Sequence, residues 1–223
     1  MGRVSIRDIH KMKCRGEKIP AVTAYDYTSA QIVDAAGVPL VLVGDSLGMV
    51  TLGYEDTIPV TMEEMLHHSR AVVKGTNKAL VILDLPFLSY QINTGEALQN
   101  AGRALQEGGV QAIKVEGGQS IVSTVKRIVE IGIPVMGHIG LMPQSVHALG
   151  GYRARGQGKK EALELVHDAL ALQKAGVFAV VLELVPTPLS QLITKRLDIP
   201  TIGIGAGPHC DGQVQVFHDI LGL

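Results

Sequence analysis

Eight short runs rich in aliphatic and β-branched residues, each parted from the next by a longer stretch, constrain this chain more than any other feature. They are Ile19–Ala24, Leu40–Asp45, Leu80–Leu85, Ala112–Gly117, Pro134–Ile139, Ala179–Leu184, Pro200–Ala206 and Gln213–His218. Most are nearly continuous apolar segments, the pattern of parallel strands covered by helices. Repeated strand–helix units leave a closed barrel or a doubly wound sheet open. Eight strands with no second domain favour the barrel. The expectation is a single (β/α)8 TIM-barrel catalytic domain over residues 1–223.

The intervening stretches carry helix signals. Thr61-Met-Glu-Glu64 reads as a capping box, and Asn93 with Glu96 repeats it. Thr187-Pro188 reads as a cap before a proline at the first helical position. Glycines 37, 75, 108, 132 and 176 stand where helices stop. Ile121, Val122, Val125, Ile128 and Val129 share one buried helical face. An internal repeat aligns Ala104–Glu116 with Ala171–Glu183, each a helix end, a glycine turn, a strand and a terminal glutamate. Ser5–Arg15 reads as an extra helix ahead of the first strand. The chain stops just after the eighth run, so the eighth helix is expected to be missing from it, leaving an apolar flank for a partner to cover.

Composition narrows the function. With 46% hydrophobic and 18% charged residues the chain can bury a core, and a net charge of −1 offers no basic surface for nucleic acid or an anionic membrane. No apolar run is long enough to span a bilayer, and no leader-like segment opens the sequence. Cys14 and Cys210 stand alone rather than in metal-type pairs, which fits a reducing compartment; the cytoplasm is the expected location. His67-His68 are expected to face solvent from a helix, and Gly203–Gly207 to be a tight turn rather than a phosphate grip.

Barrel active sites form at the carboxyl ends of the strands. Read there, the runs supply Asp45, Asp84, Glu116 and Glu183, with His138 near the end of the fifth run and Lys114 on the same face as Glu116. One aspartate at a strand end is usually a helix cap; four acids on four strand ends are a constellation. Their mutual repulsion calls for a cation, and oxygen donors without thiolates call for Mg²⁺ or Mn²⁺. Such a metal polarises a carbonyl, and an acid not engaged by it is free to take a proton beside that carbonyl. Glu183, with Val181 before it and Leu184-Val185-Pro186 behind it, is expected in an apolar setting suited to a base. His138 is the next candidate for that role.

At these residues the sequence resembles the ketopantoate hydroxymethyltransferase (3-methyl-2-oxobutanoate hydroxymethyltransferase) family. The resemblance rests on Thr23-Ala-Tyr-Asp26, Val43-Gly-Asp-Ser-Leu-Gly-Met49, Thr57-Ile-Pro-Val-Thr61, Asp84-Leu-Pro-Phe87, Lys114-Val-Glu-Gly-Gly118, Gly137-His-Ile-Gly-Leu-Met-Pro-Gln144, Gly150-Gly-Tyr-Arg153, Glu183-Leu-Val-Pro186, Thr201–Pro208 and Cys210-Asp-Gly-Gln213. It implies a Mg²⁺-dependent barrel of the phosphoenolpyruvate/pyruvate superfamily. That family moves a hydroxymethyl group from 5,10-methylenetetrahydrofolate to 3-methyl-2-oxobutanoate, giving 2-dehydropantoate for pantothenate and coenzyme A synthesis. Carried over, Asp45, Asp84 and Glu116 hold one Mg²⁺ per subunit; Asp45, Ser46, Asp84, Lys114 and His138 contact the oxo acid; and Glu183 accepts the proton. The resemblance also implies a homo-oligomer, typically a decamer. Family members usually continue for some tens of residues beyond Leu223. Two other readings stay open: a metal-dependent C–C lyase of the same superfamily, and a non-catalytic binding barrel.

Overall fold

A computed structural model describes residues 2–223. Eight strands pair in chain order, all parallel, and close into a barrel: β1 (Ile19–Thr23), β2 (Leu40–Val43), β3 (Leu80–Asp84), β4 (Ala112–Glu116), β5 (Val135–Gly140), β6 (Ala179–Glu183), β7 (Thr201–Ile204) and β8 (Gly212–Gln215). The helices are α1 (Ile6–Arg15), α2 (Tyr27–Ala35), α3 (Leu47–Val50), α4 (Met62–Gly75), α5 (Thr94–Gln106), α6 (Val122–Glu130), α7 (Val146–Leu149), α8 (Lys159–Ala175), α9 (Thr187–Arg196) and α10 (Phe217–Leu221).

The strands are apolar on both faces because each face meets a different core. Leu40 and Leu42 point into the barrel with Ile82, Met136, Val181, Ile202 and Val214, while Val41 and Val43 point outward to the helices with Val81, Leu83, Val115 and Val135. Ile9 of α1 joins the interior cluster beside Ile19, so the extra helix caps the amino-terminal end of the barrel. Burying that side chain contributes about 1.5–3 kcal/mol, and Ile9→Ala would open the cap.

The capping box at Thr61 forms as expected, Thr61 Oγ1 accepting from the Glu64 amide at 3.2 Å, whereas at Asn93 only one half forms, its Oδ1 accepting from the Glu96 amide at 2.9 Å. Thr187 is not a cap: it lies inside α9, and Pro186 precedes the helix. The repeat also re-registers one glycine. Gly109 (φ +76°), not Gly108, takes the left-handed turn that Gly176 (φ +96°) takes in the other copy, and a Cβ on Gly108 would sit 2.5 Å from the Ala104 carbonyl. Gly75 closes α4 from within, the cap falling on Thr76. His67 is exposed, but His68 is half-buried, its Nδ1 2.6 Å from the Tyr25 carbonyl oxygen. Cys14 and Cys210 are both free thiols.

The end of the chain departs from expectation. His218 is not in a strand; β8 stops at Gln215 and α10 starts at Phe217, so a helix does follow the eighth strand. The gap lies one unit earlier. β7 runs into β8 through residues 205–211 with no helix between, although parallel neighbours usually need a crossover of a dozen residues or more. Only two residue pairs join these strands, Ile202–Gly212 and Gly203–Gln213. Asp211 pins the short crossover: its carboxylate accepts from the Thr201 amide at 2.8 Å and from Lys13 of α1 at 2.8 Å. Among the described residues no helix is long and apolar enough to cross a membrane.

Candidate active site

All seven side chains singled out in the sequence line one cavity of about 170 Å³ at the carboxyl ends of the strands: Asp45, Ser46, Asp84, Lys114, Glu116, His138 and Glu183. Register explains the grouping. Asp84 pairs with Lys114 across β3–β4, Glu116 with His138 across β4–β5, and Glu183 with Gly140 across β5–β6. Asp45 lies two residues past β2, where its amide donates to Asp84 Oδ2 at 3.2 Å. Ser46 opens α3, and its Oγ is 2.8 Å from the Tyr25 hydroxyl, whose pKa burial pushes up to about 12. Gly140 (φ +98°) is required at its place, because a Cβ there would lie 2.2 Å from the Glu183 carbonyl oxygen.

Charge is dense and largely dry. Asp45, Asp84, Lys114, Glu116 and His138 are all buried, and Glu183 is the most accessible of the acids. Lys114 Nζ is 3.1 Å from Asp84 Oδ1 and 3.2 Å from His138 Nδ1. The Asp84 contact is a buried salt bridge. His138 Nδ1 is 3.4 Å from Glu116 Oε1, and its Nε2 is 3.3 Å from Glu183 Oε2. Burial and the Lys114 ammonium oppose a charge on the His138 ring, but the two carboxylates outweigh them and raise its pKa to about 9. A protonated ring makes the Lys114–Nδ1 approach repulsive, and the surrounding acids offset it. Burial, then the charges of Asp84 and Glu116, push Asp45 up to about 8. Burial likewise raises Asp84 against the pull of Lys114. Glu116 runs the other way: burial would raise it, but His138 first and Lys114 after it hold it low. The expected apolar setting of Glu183 is not found, because the side chain faces the His138 ring.

Sequence reasoning missed the residue that ties these acids together. Gln144, buried after β5, donates Nε2 to Asp45 Oδ2 at 2.8 Å and to the Leu85 carbonyl at 2.9 Å, and its backbone amide donates to Glu116 Oε2 at 3.1 Å. Its own Oε1 accepts from the Tyr90 hydroxyl at 2.8 Å. The signal was present: Gln144 ends the block that begins at Gly137, but an amide carries no charge to mark it. Thr57 was missed too; it lines the cavity with a buried hydroxyl that has no hydrogen-bond partner.

The donor set suits a hard divalent cation. Four carboxyl groups crowd against one ammonium and one imidazolium, and the upward push on Asp45 and Asp84 shows that their negative charge is not fully compensated without a further cation. Among the described residues no three His, Cys, Asp or Glu side chains converge into a ready ligand cage. Mg²⁺ does not need one, since it is commonly held by one or two carboxylates with water and substrate completing the octahedron. Both oxygens of Glu116 are engaged, by His138 and by the Gln144 amide, and both of Asp84, by Lys114 and by the Asp45 amide. Asp45, Asp84 and Glu116 are the residues that could hold such an ion.

The comparisons fit this geometry. The family model described as Ketopantoate hydroxymethyltransferase matches residues 3–223. A 3-methyl-2-oxobutanoate hydroxymethyltransferase of Chloroflexus aurantiacus is 64% identical over 221 residues, covering 99% of this chain and 78% of the relative. One of the same name from Moorella thermoacetica is 58% identical, covering 99% and 82%. Among solved structures, a putative phosphonomutase from Burkholderia cenocepacia superposes with a TM-score of 0.75 at 13% identity, over 96% of this chain and 95% of that one. A phosphonopyruvate hydrolase complexed with oxalate and Mg²⁺ gives 0.72 at 13%, over 97% and 82%. At that identity the structures speak for the barrel alone, whereas the sequence matches run through every strand-end acid: this chain belongs to the ketopantoate hydroxymethyltransferase family.

Proposed function

We propose that the barrel transfers a hydroxymethyl group from 5,10-methylenetetrahydrofolate to 3-methyl-2-oxobutanoate, forming 2-dehydropantoate for pantothenate synthesis, with Mg²⁺ held by Asp45, Asp84 and Glu116. Family membership supports the reaction. The observation that carries the chemistry is the pairing of one accessible acid, Glu183, with the buried His138 ring at the edge of a cavity whose floor is apolar.

Leu42, Val181, Ile204 and Val214 form that floor and suit the branched alkyl end of the oxo acid. Its polar end then lies among Ser46, Lys114 and His138, where two cations and a hydroxyl meet a carboxylate and a keto oxygen. When bound, the metal supplies Lewis-acid polarisation of the keto group. Glu183 takes the C3 proton, and His138 Nε2 steadies that carboxylate before transfer. The C3 carbon so freed forms a bond to the one-carbon unit of the donor, whose two C–N bonds break in exchange; one water supplies the hydroxyl group, its other proton and the C3 proton pass to the two nitrogens, and tetrahydrofolate leaves. The buried wall keeps bulk water from quenching C3 before that step. A cytoplasmic, homo-oligomeric enzyme, a decamer by family resemblance, completes the reading; the half-exposed Tyr27 and Ile32 on α2 offer apolar surface for contacts between copies.

The direct test is product formation from the two substrates with and without Mg²⁺. Metal-dependent appearance of 2-dehydropantoate is the expected result. Turnover unaffected by chelation, or none with this oxo acid, would overturn the reading.

A further inference from the structure

The cavity of about 170 Å³ suits a small branched oxo acid. The donor is far larger, with a pterin, an aminobenzoyl ring and a carboxylate-bearing glutamate tail, so only its reactive end can enter. The remainder has to lie across the rim, and the rim has a distinct chemistry. Met49 of α3 and Tyr152, beyond α7, both line the opening and are 40% and 50% exposed. They meet at that opening, the Tyr152 hydroxyl 3.9 Å from the Met49 sulfur. Burial first, then the acids Asp56, Glu183, Asp45 and Glu116, raise the pKa of the Tyr152 phenol, so it stays neutral. Next along the chain, Arg153 is exposed and, among the described residues, enters no ion pair, whereas Arg155 is paired with Glu161 at 2.5 Å.

An exposed aromatic ring beside a polarisable thioether is a stacking surface for a flat heterocycle. An unpaired guanidinium on the next residue of the chain is a receptor for a carboxylate. We infer that the Met49–Tyr152 pair, with Arg153 beside it, is the docking platform for the folate donor: the pterin lies on the ring and thioether with its one-carbon end over the cavity, and the glutamate tail runs out to Arg153. This deepens the proposed function and rests on it for the identity of the donor.

The test is equilibrium binding to the full chain saturated with Mg²⁺ and 3-methyl-2-oxobutanoate, using tetrahydrofolate and, as a probe without the glutamate tail, tetrahydropteroate. Tyr152→Ala is expected to weaken both ligands roughly tenfold, the scale of a lost aromatic stacking partner. Tyr152→Phe, which keeps the ring, should bind within about twofold of the parent. Arg153→Ala should weaken tetrahydrofolate by roughly threefold, an exposed ion pair's worth, and leave tetrahydropteroate alone. Exchange of the oxo acid's C3 proton in D₂O needs no folate and reports the folding of each variant. A well-folded Tyr152→Ala that binds tetrahydrofolate like the parent overturns the platform and leaves the function reading standing. A parent chain that exchanges the C3 proton yet binds no tetrahydrofolate overturns the folate reading, and the platform with it.

Discussion

Gln144 Nε2 lies 2.8 Å from Asp45 Oδ2, and the same residue's backbone amide lies 3.1 Å from Glu116 Oε2. One uncharged residue thus spaces two acids that repel each other. Gln144→Met keeps much of the volume and removes the donor without adding charge. The expected outcome is a 10–100-fold loss in Mg²⁺ affinity, the usual scale for residues that orient metal ligands, measured by calorimetric titration. Affinity equal to the parent's would show that Asp45 needs no such support.

Glu183→Gln should leave Mg²⁺ titration unchanged and slow C3 proton exchange in D₂O by roughly 10²–10⁴-fold, the range a general base contributes. The readout is the NMR signal of the oxo acid alone. Exchange at the parent rate would move the role to His138, 3.3 Å away.

Metal-free protein should lose stability as pH rises from about 4 towards 8. Asp45, raised to about 8 by burial and by Asp84 and Glu116, binds a proton in the folded chain that the unfolded chain has already released. Asp45→Asn should flatten this slope in urea titrations and, in the same experiments, abolish the stabilisation that added Mg²⁺ gives the parent. A slope and a Mg²⁺ response both identical to the parent's would remove Asp45 from the site.

Away from the cavity, Asp34 at the end of α2 accepts from the amides of Asn77, Lys78 and Ala79 at 3.0, 2.9 and 2.8 Å. Burial works against its charge, but these donors outweigh it and hold the pKa below the ordinary value. Its contribution is therefore present above about pH 4 and lost as pH falls through the lowered pKa. Asp34→Ala should cost about 3 kcal/mol at neutral pH, and the cost should shrink in acid. Chemical denaturation at pH 7 and pH 3 checks both.

Strand-end acids were legible because a barrel converts position along a strand into position around a mouth, and charge in an apolar run is conspicuous. Asp84, Glu116 and Glu183 sit at the last residues of β3, β4 and β6, as read. What sequence could not convey was who faces whom across strands. The setting of Glu183 was misjudged from its own neighbours in the chain, when the deciding group, His138, lies on the adjacent strand. Gln144 and Thr57 escaped for a related reason: neutral polar residues on loops reveal their role only once the fold has buried them. The helix boundaries that failed, at Thr187 and His218, are places where a proline or a very short strand makes local preference ambiguous.

The helix-free passage from β7 to β8 gives the barrel an uneven resistance to opening. With two residue pairs holding it to β7, β8 leans on β1, where four pairs form, and on the contact of Asp211 with Thr201 and Lys13. Thermal fluctuations will part the wall at that seam before any other, so the β8 amides should trade hydrogen for deuterium soonest among the strands. Ile204 and Val214 of that seam also line the cavity, whereas Asp84 and Glu116 stand on β3 and β4, so breathing there would loosen the apolar floor before it moved those two acids.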